Sequence, residues 1–186
     1  MTQKNYSVRT ADGRDTEKIK NIFRSARAFM AAHGNPQWQD GYPYDDVIED
    51  FVRGGNFRLI VCGGDIAAVY SVLEGDEEYG EIDGEWLTGS GVRALENGDE
   101  KFSYLAAHTP AVSPDFRGRG LARAAIREAE EEAERRGFSS VRLDTHECNK
   151  PMQALLSSEG FTLCGRLSSR GGGSFICFEK LIKSNK

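Results

Sequence analysis

The chain lacks any long apolar run: no stretch of its 186 residues approaches the roughly 18 needed to cross a bilayer. The opening MTQKNYSVRTADGRD has no apolar centre and does not read as a signal peptide. Cysteine is scarce and unpatterned. Cys62, Cys148, Cys164 and Cys177 show no C-x-x-C spacing and no paired framework, so they read as reduced thiols. Excess positive charge is also missing: the net charge is −5, which argues against a general nucleic-acid binder. Repeats, heptads and domain linkers are absent, and 39% hydrophobic residues suffice for one core. These absences imply a soluble, cytoplasmic protein of a single domain over residues 1–186, with no membrane or nucleic-acid partner and no metal.

The periodicities that are present alternate between strand and helix. YSVRT is a short strand, and Asp12 with Asp15 forms a capping signal for a helix. Ile19, Ile22, Phe23, Ala26, Phe29 and Met30 then recur at helical spacing to about Ala32. After the loop HGNPQWQDGYP, a second apolar stripe holds Tyr44, Val47, Ile48, Phe51 and Val52. FRLIVCGGDIAAVYSVLE reads as a hairpin through Gly63, Gly64 and Asp65. Residues 75–101 are polar, acidic and too long for a structureless loop, which predicts a functional flap or extra short elements. FSYLAAHTPAV and SSVRLDTHE are strands on either side of a long helix that Gly137 ends, a crossover that makes them parallel. Asn149, Pro151 and Gly160 bound a short helix, and FTLCGRL and SFICFEKLI form a closing pair around a serine and glycine turn.

One local cluster of positive charge stands out: FRGRGLARAA places Arg117, Arg119 and Arg123 around two glycines at a helix start. Unpaired N–H groups and the positive dipole end already favour an anion there. A Walker A loop would need Gly-Lys-Ser/Thr, which is absent. A dinucleotide fingerprint would need a third glycine where Arg123 stands. The remaining pattern is R-x-x-G-x-A, met by Arg117, Gly120 and Ala122 directly after a strand. A solvated Gly-Arg turn is the plain alternative for this segment by itself.

This pattern resembles the acyl-CoA pyrophosphate loop of the GNAT superfamily of N-acetyltransferases, and NKPMQALLSSEGF (149–161) resembles that superfamily's second motif. With QWQDGYP and LDTHECNKPMQ, the chain is similar to an uncharacterised bacterial subgroup. The resemblance implies a mixed α/β fold: a mostly antiparallel sheet of six to seven strands with a splayed parallel pair, flanked by about four helices. Pro110, which removes a ladder hydrogen bond from its strand, suits the splay, though it would equally end a strand early. The resemblance implies acetyl-CoA as cosubstrate, held by Ala111, Val112, Arg117, Gly118, Arg119, Gly120, Leu121, Ala122 and Asn149. Glycines let the backbone approach the pyrophosphate, and arginines add charge. Asn149 has a sufficient structural role as a helix cap.

The implied reaction is direct attack of a primary amine on the thioester. The Val112 backbone N–H is the family's oxyanion donor. His108 and His146, on the two strands flanking the implied thioester, are candidate bases, although a strand histidine is as readily structural. Cys148 has no Cys-His-Asp pattern to make it a nucleophile. At the position of the family's tyrosine acid stands Leu156, so no acid is assigned. Gln37, Trp38, Tyr42 and Tyr44 occupy the region where related enzymes bind acceptors. Tyr79 and Trp86 are interspersed in an acidic run (Glu74, Asp76, Glu77, Glu78, Glu81, Asp83, Glu85) that would attract a cationic amine or stand as a solvated face. The partners implied are coenzyme A, a small amine or peptide amine, and a second copy in a homodimer. A non-catalytic acyl-CoA-binding sensor or partner module of the same fold is the alternative.

Overall fold

The computed structural model describes residues 4–95, 99–168 and 173–183. The turn expected between the last two strands lies largely outside these residues, as do positions 96–98 of the expected flap. The strands are β1 (Ser7–Thr10), β2 (Phe57–Cys62), β3 (Asp65–Glu74), β4 (Asp83–Gly84), β5 (Val92–Ala94), β6 (Glu100–Phe102), β7 (Tyr104–Val112), β8 (Ser140–His146), β9 (Thr162–Ser168) and β10 (Ser174–Leu181). The helices are α1 (Thr16–Ala32), α2 (Asp45–Arg53), α3 (Leu121–Arg136) and α4 (Lys150–Ser158).

The hydrogen-bonded order of the main sheet is β1-β2-β3-β7-β8-β10-β9-β4, with β5 and β6 forming a separate ribbon. Seven of these eight strands match the expected count, and the eighth is the two-residue β4. Gly165 on β9 makes room for it: a Cβ there would sit 2.5 Å from the Asp83 carbonyl oxygen. The pairs β1–β2, β2–β3, β8–β10, β9–β10 and β4–β9 are antiparallel. The parallel register of β7 and β8 covers three pairs, Tyr104–Ser140 to Ala106–Arg142. Farther along β7, Thr109 takes φ 52° immediately before Pro110. The mixed α/β fold expected from the sequence is the fold observed.

The chain divides into two compact units and passes between them three times. One comprises Met1–Val72 and Thr109–Ile126, the other Leu73–His108 and Arg127–Lys186. The first is built on Ile19, Ile22, Phe23 and Ala26 of α1, Ile48 and Val52 of α2, and Phe57, Leu59 and Val69 of the β2–β3 hairpin, all buried. Asp12 and Asp15 form the expected capping box, on the 3-10 turn Gly13–Asp15 that leads into α1. Phe29, expected on the apolar stripe, is 45% exposed. Its ring supports a guanidinium instead of the core.

The second unit packs Tyr79, Trp86, Tyr104, Ala106, Cys164 and Cys177 together. Residues 75–101 are therefore not a bare loop. They carry the 3-10 turn Glu77–Glu81 and three short strands, with Tyr79 and Trp86 turned inward.

Candidate functional site

The Arg117–Ala122 loop belongs to the first unit. The turn Pro114–Phe116 ends β7, and the chain then passes through Gly118 (φ 75°) and Gly120 (φ 76°) into α3. That left-handed backbone costs a residue with a Cβ about 1–2 kcal/mol, so glycine is favoured at both. A Cβ built on either would meet nothing within 4 Å, which leaves the backbone there open to a ligand atom. The first N–H groups of α3 have no intrahelical partner by geometry and supply the positive end of its dipole. An open left-handed backbone at a helix start fits a pyrophosphate.

Two of the three arginines brace this loop. Arg117 donates from Nη2 to the Ser25 carbonyl and to Ser25 Oγ, both at 3.1 Å, and its guanidinium lies 4.4 Å from the Phe29 ring centroid. Arg119 donates to the Asp115 carbonyl at 2.9 Å and covers Phe116. Arg123 is exposed on the first turn of α3. Ala111 is buried and Val112 half-buried at the end of β7, while Leu121 is buried at the start of α3.

In the second unit, His108 sits between two carboxylates. Its Nε2 is 3.1 Å from Asp76 Oδ2 and its Nδ1 is 3.7 Å from Asp144 Oδ1. Tyr79 donates its hydroxyl to Asp144 at 2.8 Å, and its ring lies 5.6 Å from the imidazole. Tyr104 fixes the Asp76 backbone by accepting from its N–H and donating to its carbonyl. Burial disfavours the charge on His108, but Asp76 and Asp144 outweigh it and raise its pKa. Burial likewise opposes ionisation of Asp76, and His108 reverses this, leaving it below the ordinary range. Burial and Asp144 push the Tyr79 hydroxyl well above its usual value.

His146 has different surroundings. Its Nδ1 accepts the Cys148 N–H at 3.1 Å, and Phe175 packs edge-on against the ring. The lone pair on that nitrogen is therefore already in use. Asn149 caps α4, its Oδ1 accepting from Met152 N–H at 3.3 Å. Leu156 on α4 is fully buried, so its position faces the core.

The other acceptor candidates are dispersed. Gln37 is buried, and Trp38 packs edge-on against Phe23. Tyr42 is half-buried beside the exposed Tyr44, whose hydroxyl donates to Asp40. Arg27 gathers the carbonyls of Gly41 and Pro43 and so shapes this loop. Tyr79 and Trp86 are 2% and 5% exposed. Trp86 donates its indole N–H to the Tyr79 carbonyl and lies against Arg142.

The sequence reading missed Asp144 and the particular role of Asp76. Asp76 appeared only as one of seven acidic residues, and nothing local tells it from Glu77 or Glu78. A weak signal existed for Asp144, since it alternates with Arg142 and His146 along one strand.

Comparison with known proteins agrees with this geometry. The acetyltransferase (GNAT) family matches residues 26–161, well over half the chain. A GNAT-family acetyltransferase from Streptococcus agalactiae is 30% identical, with 96% of each chain covered and a TM-score of 0.79. One from Listeria monocytogenes shares the fold at 21% identity, covering 95% of this chain and 94% of its own, with a TM-score of 0.69. A Salmonella typhimurium protein solved with its cofactor acetyl-CoA shares the fold at 17% identity, covering 98% and 97%, with a TM-score of 0.62. No curated protein matches the chain. With its sheet order, glycine-arginine loop and Asn-capped α4, this chain belongs to the GNAT family of acetyltransferases.

Proposed function

We propose that the protein is an acetyl-CoA-dependent N-acetyltransferase that moves the acetyl group to a primary amine by direct attack. The observation that carries this reading is the loop Arg117–Ala122, whose two left-handed glycines open the backbone at the start of α3 in a chain of this family. Backbone N–H groups from Gly118 to Ala122 hold the pyrophosphate, while Arg117 and Arg119 keep the loop in shape. Arg123 is exposed on the first turn of α3 and adds positive charge beside the loop. Ala111 and Val112 present main chain to the pantetheine side, and the Val112 N–H receives the developing oxyanion. Asn149 acts by capping α4.

Bound acetyl-CoA supplies an activated acyl carbon and a thiolate leaving group. The amine attacks with its lone pair, so a lysine-like amine with a pKa of about 10.4 must first lose a proton. The His146 Nδ1 lone pair is engaged by the Cys148 N–H rather than facing an amine. Proton loss to water is therefore the simpler route. Acceptor contact is assigned to Gln37, Trp38 and Tyr42 on the α1–α2 loop, whereas Tyr79 and Trp86 are buried in the second unit. The chain works as one N-acetyltransferase domain in the cytoplasm, alone or as a homodimer. Among the described residues no helix is long and apolar enough to cross a membrane.

The test is release of free thiol from acetyl-CoA against polyamines, amino acids, aminoglycosides and lysine peptides. Amine-dependent release that disappears in Gly120→Glu is the expected result. Stabilisation by coenzyme A with no release on any amine would favour the non-catalytic acyl-CoA sensor.

A further inference from the structure

The ribbon of β5 and β6 carries a conflict of charge. Its antiparallel register sets Arg93 directly opposite Lys101, and two cations so placed repel. A two-stranded ribbon is marginal by itself in water, so this pair needs something negative between its members. Alternation along β6 puts Glu100 on the other face of the ribbon, away from both.

A cavity of about 40 Å³ opens beside the pair and is lined also by Arg136, Gly137 and Phe138 at the end of α3. All five residues belong to the second unit. Two carboxylates reach the cations. Glu74 is shared between Lys101, at 3.4 Å, and Arg136, while Glu132 accepts from Arg136 Nη1 at 2.8 Å. Among the described residues Arg93 makes no ion pair, so three cations stand against two carboxylates. The C-terminal end of α3 is the negative end of its dipole. Two of its last carbonyls, Ala133 and Glu134, are already taken by the Phe138 and Gly137 N–H groups. The donors that remain are side-chain N–H groups, of which a lysine has three and an arginine five.

We infer that this cavity binds one tetrahedral oxyanion, a phosphate group, which bridges Arg93 and Lys101 and ties the ribbon to the end of α3. Size decides the class of ligand. The cavity's 40 Å³ is room for roughly three water molecules, enough for one phosphate group and too little for a nucleoside or a sugar. Cations from two strands and a helix end suit a tetrahedral ion better than a planar carboxylate, and arginine pairs readily with phosphate oxygens. The site uses none of the residues of the Arg117–Ala122 loop and does not depend on the acetyltransferase reading. Its phosphate is either the free ion or the head of a small phosphomonoester whose organic part stays in solvent.

The test titrates inorganic phosphate into the whole protein at fixed ionic strength, with amide NMR as the readout. Saturable shifts are expected at residues 92–94, 100–103 and 136–138. Loss of one charge-assisted contact should raise the phosphate Kd about tenfold or more in Arg93→Gln and in Lys101→Gln. Shifts confined to residues 117–122, shifts reproduced by chloride, or a Kd unchanged in both variants would overturn the site. Acetate binding as tightly as phosphate would overturn the tetrahedral assignment. Thermal unfolding without phosphate gives a reading independent of binding. Arg93→Glu turns repulsion across the ribbon into attraction, so its Tm should exceed that of the wild type while the phosphate shifts vanish. A lower Tm would mean that Arg93 has a partner of its own, and the charge conflict behind the inference would be gone. Methyl phosphate separates the two sources. A Kd below that of inorganic phosphate assigns a monoester and one above it the free ion, and either supports the site.

Discussion

At His108 two carboxylates outweigh the desolvation of a half-buried ring and raise its pKa, and this makes stability depend on pH. A group whose pKa is raised on folding contributes fully below its unfolded value, near 6.5, and loses that contribution as pH rises through the folded value. Asp76, whose pKa is lowered, contributes above about 3.8 and fails as pH falls through its folded value. The cluster therefore supports the fold most between about pH 4 and 6.5. Urea midpoints should decline from pH 6 to pH 9, and His108→Gln should flatten that decline. A slope unchanged in the variant would count against the cluster as its origin. At Gly120, alanine has room for its methyl but not the backbone conformation. Gly120→Ala should cost about 1–2 kcal/mol, read as a shift in denaturation midpoint. It should also weaken coenzyme A binding, because a relaxed loop turns its N–H groups away.

Between elements, the buried ion pair of Arg142 on β8 and Glu179 on β10 does for the second unit what the hairpin turn does for the first. The two residues are register partners, with side chains 1% and 0% exposed. Arg142 Nε donates to Glu179 at 3.0 Å, and its Nη2 donates to Thr88 Oγ1 and the Gly89 carbonyl. Its guanidinium lies 4.4 Å from the Trp86 ring centroid and 3.9 Å from that of Tyr104. Thr88 and Ser140 also donate to Glu179. One side chain thus ties the segment around Trp86 to the sheet. Arg142→Leu leaves Glu179 buried without its partner and should cost about 3–5 kcal/mol, or roughly 10 °C in Tm. The double variant Arg142→Leu with Glu179→Leu should recover part of that loss. Hydrogen exchange at residues 86–91 should accelerate in the single variant, whereas a loss spread evenly over the sheet would contradict the tie.

For the whole molecule, binding to the folded state alone must raise stability by mass action. Coenzyme A at about 100 times its Kd adds roughly 2.7 kcal/mol, which for a chain of this size is roughly 5–10 °C in Tm. The shift should shrink with added salt because phosphate recognition is electrostatic. A Tm that coenzyme A leaves unchanged would remove the basis of the proposed function. What the sequence by itself determined is what neighbouring residues decide. The glycine-arginine loop, the Asn149 cap, the Gly63–Gly64 hairpin and the alternation of helices with strands depend on turns and periodicities a few residues long. Even the family is written in two such motifs. What only the tertiary structure decided involves residues far apart in the chain. Asp76 and Asp144 meet His108 across 32 and 36 positions, and Arg142 finds Glu179 and Thr88 on separate elements. Tyr79 and Trp86, which read as acceptor-binding aromatics within an acidic run, are turned into the core. A charge run is locally indistinguishable from a solvated face, and only packing selects which carboxylates meet a histidine ring.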